Sequence, residues 1–146
     1  MTAKSLLDIE GREYDWLAVD SVGQVGFFST AGGGYAPEAC LQDTDAHDRA
    51  IRLVLGFPKT TDALLAPRVG KGCDNDWLKM AERGFFAFDS DHLGGSYTLV
   101  GIPSLAVSID DLPESVVAIV RSVRLPELNF SQAKEISTDM LKEKNL

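Results

Sequence analysis

Four groups of residues in this 146-residue chain are of types that could do chemistry. The first is Ala31-Gly32-Gly33-Gly34-Tyr35. Three consecutive glycines let a backbone come close to a ligand, and their N–H groups can cradle an anion. No Lys-Ser or Lys-Thr follows, and Pro37 stands where a dinucleotide-binding loop needs its last glycine. Neither phosphate-loop pattern is met. The sequence favours a turn from sheet to helix, with Tyr35 closing over the edge of the core.

The second group, Asp43, Asp45, His47 and Asp48, offers hard oxygen ligands and an imidazole. A calcium loop would need Gly at its sixth position and Glu at its twelfth, where this chain has Asp48 and Val54. His47 also shares helical spacing with Ile51 and Val54, as a histidine at the core edge would. No metal is assigned. The third group is Asp89, Asp91 and His92, in a loop signal where an imidazole and a carboxylate could exchange protons. A solvated turn with Asp89 fixing the backbone accounts for the same residues. The fourth is Cys40 and Cys73, either of which could be a nucleophile beside His47 or His92. Neither lies in a nucleophile motif, and buried structural thiols are common; whether either reacts is left open. The chain has no G-x-S-x-G, H-E-x-x-H or serine-triad signature. With two histidines in all, few routes to acid–base catalysis near neutral pH exist. The reading leans away from an enzyme, with no catalytic residue and no cofactor.

The elements that must position these groups are organised around Tyr14 to Tyr35. Tyr14–Asp20 and Gln24–Ser29 are rich in aromatic and β-branched residues, which suit a pleated surface. Asp20-Ser21-Val22-Gly23 joins them as a turn: the Asp carboxylate can accept backbone N–H bonds, and Gly accepts positive φ. This predicts an antiparallel hairpin with both faces buried. A helix opening at Asp43-Thr44-Asp45, capped by Asp43 or Thr44, runs to about Leu55 and carries an apolar stripe of Ala50, Ile51, Val54 and Leu55. Residues 56–73 read as irregular, or as a short helix around Asp62–Ala66. A second helix, Asp76–Arg83, stops at Gly84. A second hairpin, Phe85–Asp89 with Tyr97–Ile102, echoes the first in its apolar-Ala-apolar-Asp-Ser pattern. Leu105–Ile109 could be a fifth strand or an edge segment. Asp111-Leu112-Pro113-Glu114 opens a third helix, which Pro126 ends. Leu128–Phe130 could add a short strand.

The expected fold class is therefore α+β: an antiparallel sheet of four to five strands built from two hairpins, with about three helices. Residues 1–13 read as an N-terminal arm, 14–130 as one domain and 131–146 as a charged C-terminal tail.

Net charge is −8. Such a field repels nucleic acid and anionic membrane and attracts a basic protein. The aromatic residues of the strands lack the basic groove that would make them a base-stacking platform, so they read as core. No stretch approaches the length of a membrane span, and the opening residues fit neither a signal nor a transit peptide. The cysteine usage fits a reducing cytoplasm.

The run YDWLAVDSVGQVGFFSTAGGGYAP, then DTDAHD and ERGFFAFDSD, resembles a group of small uncharacterised bacterial proteins. Some of these look like immunity proteins of polymorphic toxin systems. The resemblance implies a cytoplasmic protein that neutralises a toxin; it carries no catalytic residue. The resulting expectation is a non-enzymatic acidic binding protein that occludes a basic protein partner. Asp43, Asp45, Asp48, Asp89 and Asp91 would be its steering contacts and Tyr35 its aromatic anchor. The alternative is a small-molecule-binding protein or enzyme using the Gly32, Gly33 and Gly34 loop with His92. A homodimer through an apolar sheet face is the third expectation.

Overall fold

The computed structural model describes residues 14–66, 75–90 and 93–142. Asp91, His92 and Cys73 lie outside the described residues, as does the arm at 1–13.

The first hairpin forms as its sequence dictates. β1 (Asp15–Asp20) pairs antiparallel with β2 (Val25–Ser29), with Leu17 opposite Phe27 and Val19 opposite Val25. Asp20 holds the turn: its Oδ1 accepts the N–H groups of Val22 at 3.0 Å and Gln24 at 2.9 Å. The chain continues through α1 (Glu38–Leu41), α2 (Thr44–Leu55), β3 (Ala63–Leu65) and α3 (Asn75–Ala81). Gly84, at φ +91°, ends α3 in the left-handed region that only glycine enters without strain. β4 (Phe86–Asp89) and β5 (Tyr97–Pro103) pair antiparallel as the second hairpin. A 3-10 turn (Ile109–Asp111), α4 (Glu114–Arg121), β6 (Arg124–Leu125), β7 (Glu135–Ile136) and α5 (Thr138–Leu141) complete the described chain.

The fold is α+β, but the sheet is mixed and larger than expected. Its seven strands run β3-β5-β4-β2-β1-β6, with β7 also paired to β5. The two hairpins do lie in one sheet. They meet through a parallel pair, however: β2 and β4 align Gly26 with Phe86 through Ser29 with Asp89. β6 is parallel to β1. The wholly antiparallel arrangement is thus corrected, and the reason is the connection. Two antiparallel neighbours can be joined by a tight turn, whereas a parallel pair needs a long crossover. The segment between β2 and β4, which holds three helices among its described residues, is that crossover. Residues read as irregular or helical near Asp62–Ala66 supply β3 on the outer edge of β5. Leu105–Ile109 is not a strand; it leads into the 3-10 turn, with one isolated bridge from Ser108 to Gln24. Leu128–Phe130 forms no strand either. There are five α-helices among the described residues rather than about three, two of them only four residues long.

Side chains alternate across the strands and fill both faces. On one face Leu17, Val19, Val25, Phe27, Ala87 and Val100 pack under α2, α3 and α4. On the other, Trp16 stacks on Phe28 at 4.0 Å and Phe28 on Phe88 at 4.9 Å between ring centroids. Tyr97 and Phe130 meet Phe28 edge-on. Such aromatic pairs add to the burial of their area. The lid of this aromatic face comes from α1 and from the chain after β6. Residues 131–142, read as part of a charged tail, hold β7 and α5 and bury Ile136 and Leu141 there.

Candidate functional site

The register places polar side chains in one row across the sheet. Asp15 lies opposite Ser29, Ser29 opposite Asp89, and Asp89 opposite Thr98. Ser29 Oγ accepts the indole N–H of Trp77 at 3.1 Å. This row marks the carboxyl ends of the adjacent parallel strands β2 and β4, where open sheets place ligands. The glycine loop leaves from β2 and Ser90 follows β4, so both connections start at one end of the sheet; of the second, Ser90 and residues 93–96 are described.

They pack against each other closely. A Cβ on Gly34 would stand 2.6 Å from Ser90 Cβ and 2.8 Å from the Tyr97 hydroxyl. At Gly94 a Cβ would meet Gly33 O at 3.0 Å. Ser90 donates its hydroxyl to Gly95 O at 2.7 Å and its N–H to Ser29 O at 3.0 Å. Within the glycine loop, the N–H groups of Gly33 and Gly34 donate to Thr30 O, at 3.1 and 2.8 Å. Two of the three donors that would cradle an anion are therefore spent inside the loop. Tyr35 is half-buried against the aromatic face, and its carbonyl accepts the Tyr97 hydroxyl at 2.8 Å. Tyr97 in turn accepts the Trp16 indole N–H at 3.1 Å. Burial raises the Tyr97 hydroxyl well above its ordinary titration range; the Trp16 bond opposes this, and the nearby Cys40, Asp89 and Asp15 add to it.

The second group sits on α2. Asp43 caps the helix, its Oδ1 accepting Ala46 N–H at 3.1 Å. Asp45 and Asp48 face solvent, and Asp48 pairs with Arg52 at 2.7 Å. His47 turns the other way. It is buried, and its Nδ1 accepts the N–H of Leu17 at 3.1 Å. That N–H is one the short β6 leaves without a strand partner, since β6 reaches only Val19 and Asp20. An accepting Nδ1 requires a neutral ring with its proton on Nε2. Burial pushes His47 down from 6.5 to about 4, against the pull of the Asp43 carboxylate. Among the described residues, no three His, Cys, Asp or Glu side chains gather as metal ligands. Cys40 lies in the aromatic face, where burial pushes its thiol up to about 12. A nucleophile must be a thiolate, and this one stays protonated.

The structure thus brings the glycine loop, Tyr35 and Asp89 to one end of the sheet, while Asp43, Asp45 and Asp48 belong to α2. It also shows residues that sequence reasoning passed over. A cleft of about 380 Å³ opens beside the first turn, lined by Ser21, Ile109, Arg121, Arg124 and others. A second, of about 370 Å³, lies between β6 and α5 and shares Arg124 and Pro126 with the first. No motif joins Arg124 to Ser21; only the parallel pairing of β6 with β1 makes them neighbours. Comparison with protein families, with curated proteins and with solved structures found no match.

Proposed function

We propose that this chain is a non-enzymatic acidic binding protein of the immunity type, which occludes a basic protein partner. The observation that carries this reading is the contrast on α2. His47 is turned inward and neutral, while Asp45 and Asp48 stand exposed on a chain of net charge −8. Other chemically capable groups are also committed to the fold: the Cys40 thiol by burial, and the Gly33 and Gly34 donors by Thr30. Exposed acids steer association with a basic surface and set its salt dependence. Asp43, Asp89 and the half-buried Tyr35 are the remaining described contacts assigned to the interface. The test is a pull-down with tagged protein from a lysate of the source cells, washed at low and then high salt, beside an Asp45→Lys, Asp48→Lys double variant. A basic protein held at low salt, released by high salt and not recovered with the variant is the expected outcome. A partner indifferent to both changes, or none, removes the proposal.

A second reading is a small-molecule site at the Gly32–Gly34 loop with His92. What favours it is the meeting of the glycine loop with the Gly94 loop at the carboxyl ends of β2 and β4. Native mass spectrometry of the purified protein would show a retained ligand. The homodimer reading draws on exposed Leu64 and Ile102, paired across β3 and β5, and on exposed Leu105. Concentration-dependent sedimentation would reveal it.

A further inference from the structure

The geometry points to a carboxylate-binding site in the cleft beside the first turn, with Arg124 as its anchor. This does not rest on the acidic face of α2 and concerns ligands of the opposite charge.

The cleft holds about 380 Å³, within the range of small-ligand sites. Val19, Ile109 and Pro126 supply apolar wall, and Ser21, Arg121 and Arg124 supply donors. Arg124 is exposed and, among the described residues, uses only Nε, donating to Arg121 O at 3.4 Å. Among the described residues neither of its terminal nitrogens has a carboxylate partner. A guanidinium presents a planar fork that matches a carboxylate through two parallel bonds. Arg121 is half-committed: its Nη2 lies 3.1 Å from Asp110 Oδ1, with both side chains at least half exposed. Exposed pairs of this kind are weak, so an incoming anion can draw Arg121 toward itself.

One carboxylate already lines the cleft, that of Asp20, and its bonding explains why it does not consume the arginines. Its two oxygens accept four hydrogen bonds, from Val22 N, Gln24 N, Gln24 Nε2 and Phe130 N, at 2.8 to 3.0 Å. Its lone pairs are filled and its charge is spread over those donors. The fitting ligand is a carboxylate on a short apolar body, with the body against Val19, Ile109 and Pro126. A free short-chain acid and the C-terminal carboxylate of a polypeptide share that chemistry.

The test is a titration of the full chain followed by amide and arginine Nε NMR shifts. The probes are sodium valerate, the tripeptide Ala-Val-Val with a free carboxylate, and the uncharged valeramide and tripeptide amide. Saturable shifts at Ser21, Ile109 and Arg124 are expected with a charged probe and not with its amide. Valerate alone saturating assigns a small-molecule ligand; the tripeptide acid alone saturating assigns a chain terminus. Arg124→Gln should weaken binding about tenfold or more, the usual worth of charge-assisted hydrogen bonds. Arg124→Lys, keeping the charge without the fork, should fall between. Arg49→Gln, an exposed change on α2, should leave the titration as it is. Linear shifts with every probe, equal binding of acid and amide, or full affinity in Arg124→Gln each overturn the site. Unchanged β1 and β2 amide shifts in the variants show that the fold is kept.

Discussion

Replacing Asp20 with alanine removes one carboxylate and strands four donors. Three belong to the first turn: Val22 N–H, Gln24 N–H and the Gln24 side-chain amide, at 3.0, 2.9 and 2.8 Å. The fourth is the buried N–H of Phe130, at 2.8 Å and 110 residues away. The turn donors can turn to water, so their loss costs little more than the net worth of each bond. The Phe130 N–H is covered, and an orphaned buried donor costs about 1–3 kcal/mol. Bonds to a charged acceptor have a net worth of about 1.5–3 kcal/mol each, but they share one group and do not add. Releasing a buried carboxylate from its desolvation also returns part of the loss. The net expectation for Asp20→Ala is about 3–4 kcal/mol, a large share of the stability of a domain this size. Asp20→Asn should cost less, about 2 kcal/mol, because its amide can face the turn, where water accepts from it. Urea unfolding at neutral pH measures both, with an unchanged slope showing that the same surface is exposed. Hydrogen exchange then locates the loss: in Asp20→Ala the Phe130 amide should lose more protection than amides in the middle of β2. A loss below about 1 kcal/mol would refute the assignment of Asp20 as the tie between the turn and the 128–131 segment. So would an undisturbed Phe130 amide.

Three further outcomes follow from the same structure. His47 titrates at about 4 in the fold and near 6.5 when unfolded, so the unfolded chain binds the extra proton between those values. Stability from this group is therefore full above pH 6.5 and falls as pH drops toward 4, by at most about 1.4 kcal/mol per pH unit. Urea midpoints between pH 7 and 5 should show this slope in the wild type and a shallower one in His47→Gln. In a Cys73→Ser background, Cys40 should resist a thiol reagent at pH 8 and react at the rate of unfolding, as absorbance at the reagent's product band would show. Gly34→Ala forces a methyl to within 2.6 Å of Ser90 Cβ; thermal melts should show a loss of about 1–3 kcal/mol, typical of overpacking.

Local patterns were legible where one short stretch carried its own reason. Asp20 and Gly23 announced the first turn and Gly84 the stop of α3, while for the cap of α2 the sequence offered Asp43 or Thr44 and the structure uses Asp43. The inward face of His47 could be read from its spacing with Ile51 and Val54, but its bond to Leu17 N–H could not. That bond exists because β6 is too short to cover β1, and nothing near residue 17 or 47 encodes the length of β6. β3 was invisible for a related reason: three residues, Ala63-Leu64-Leu65, are too few to show a period of two. The parallel pairing of β2 with β4 lies in the packing of helices over one face, which no hairpin signal reports. Arg124 had no motif around it, and only the tertiary fold sets it beside Ser21.

The aromatic face carries a consequence for how the chain is made. Trp16, Phe28, Phe86 and Phe88 are synthesised well before Phe130, Ile136 and Leu141, which cover them. A ribosome delivers residues in order, at about 5–20 per second. For the seconds that separate strand β4 from α5, a broad patch of stacked rings has only the α1 part of its lid. A nascent chain in that state is open to chaperone capture and to sticking to its neighbours. Chains ending near Ser122 should therefore accumulate as insoluble material, while chains reaching Lys142 remain in solution.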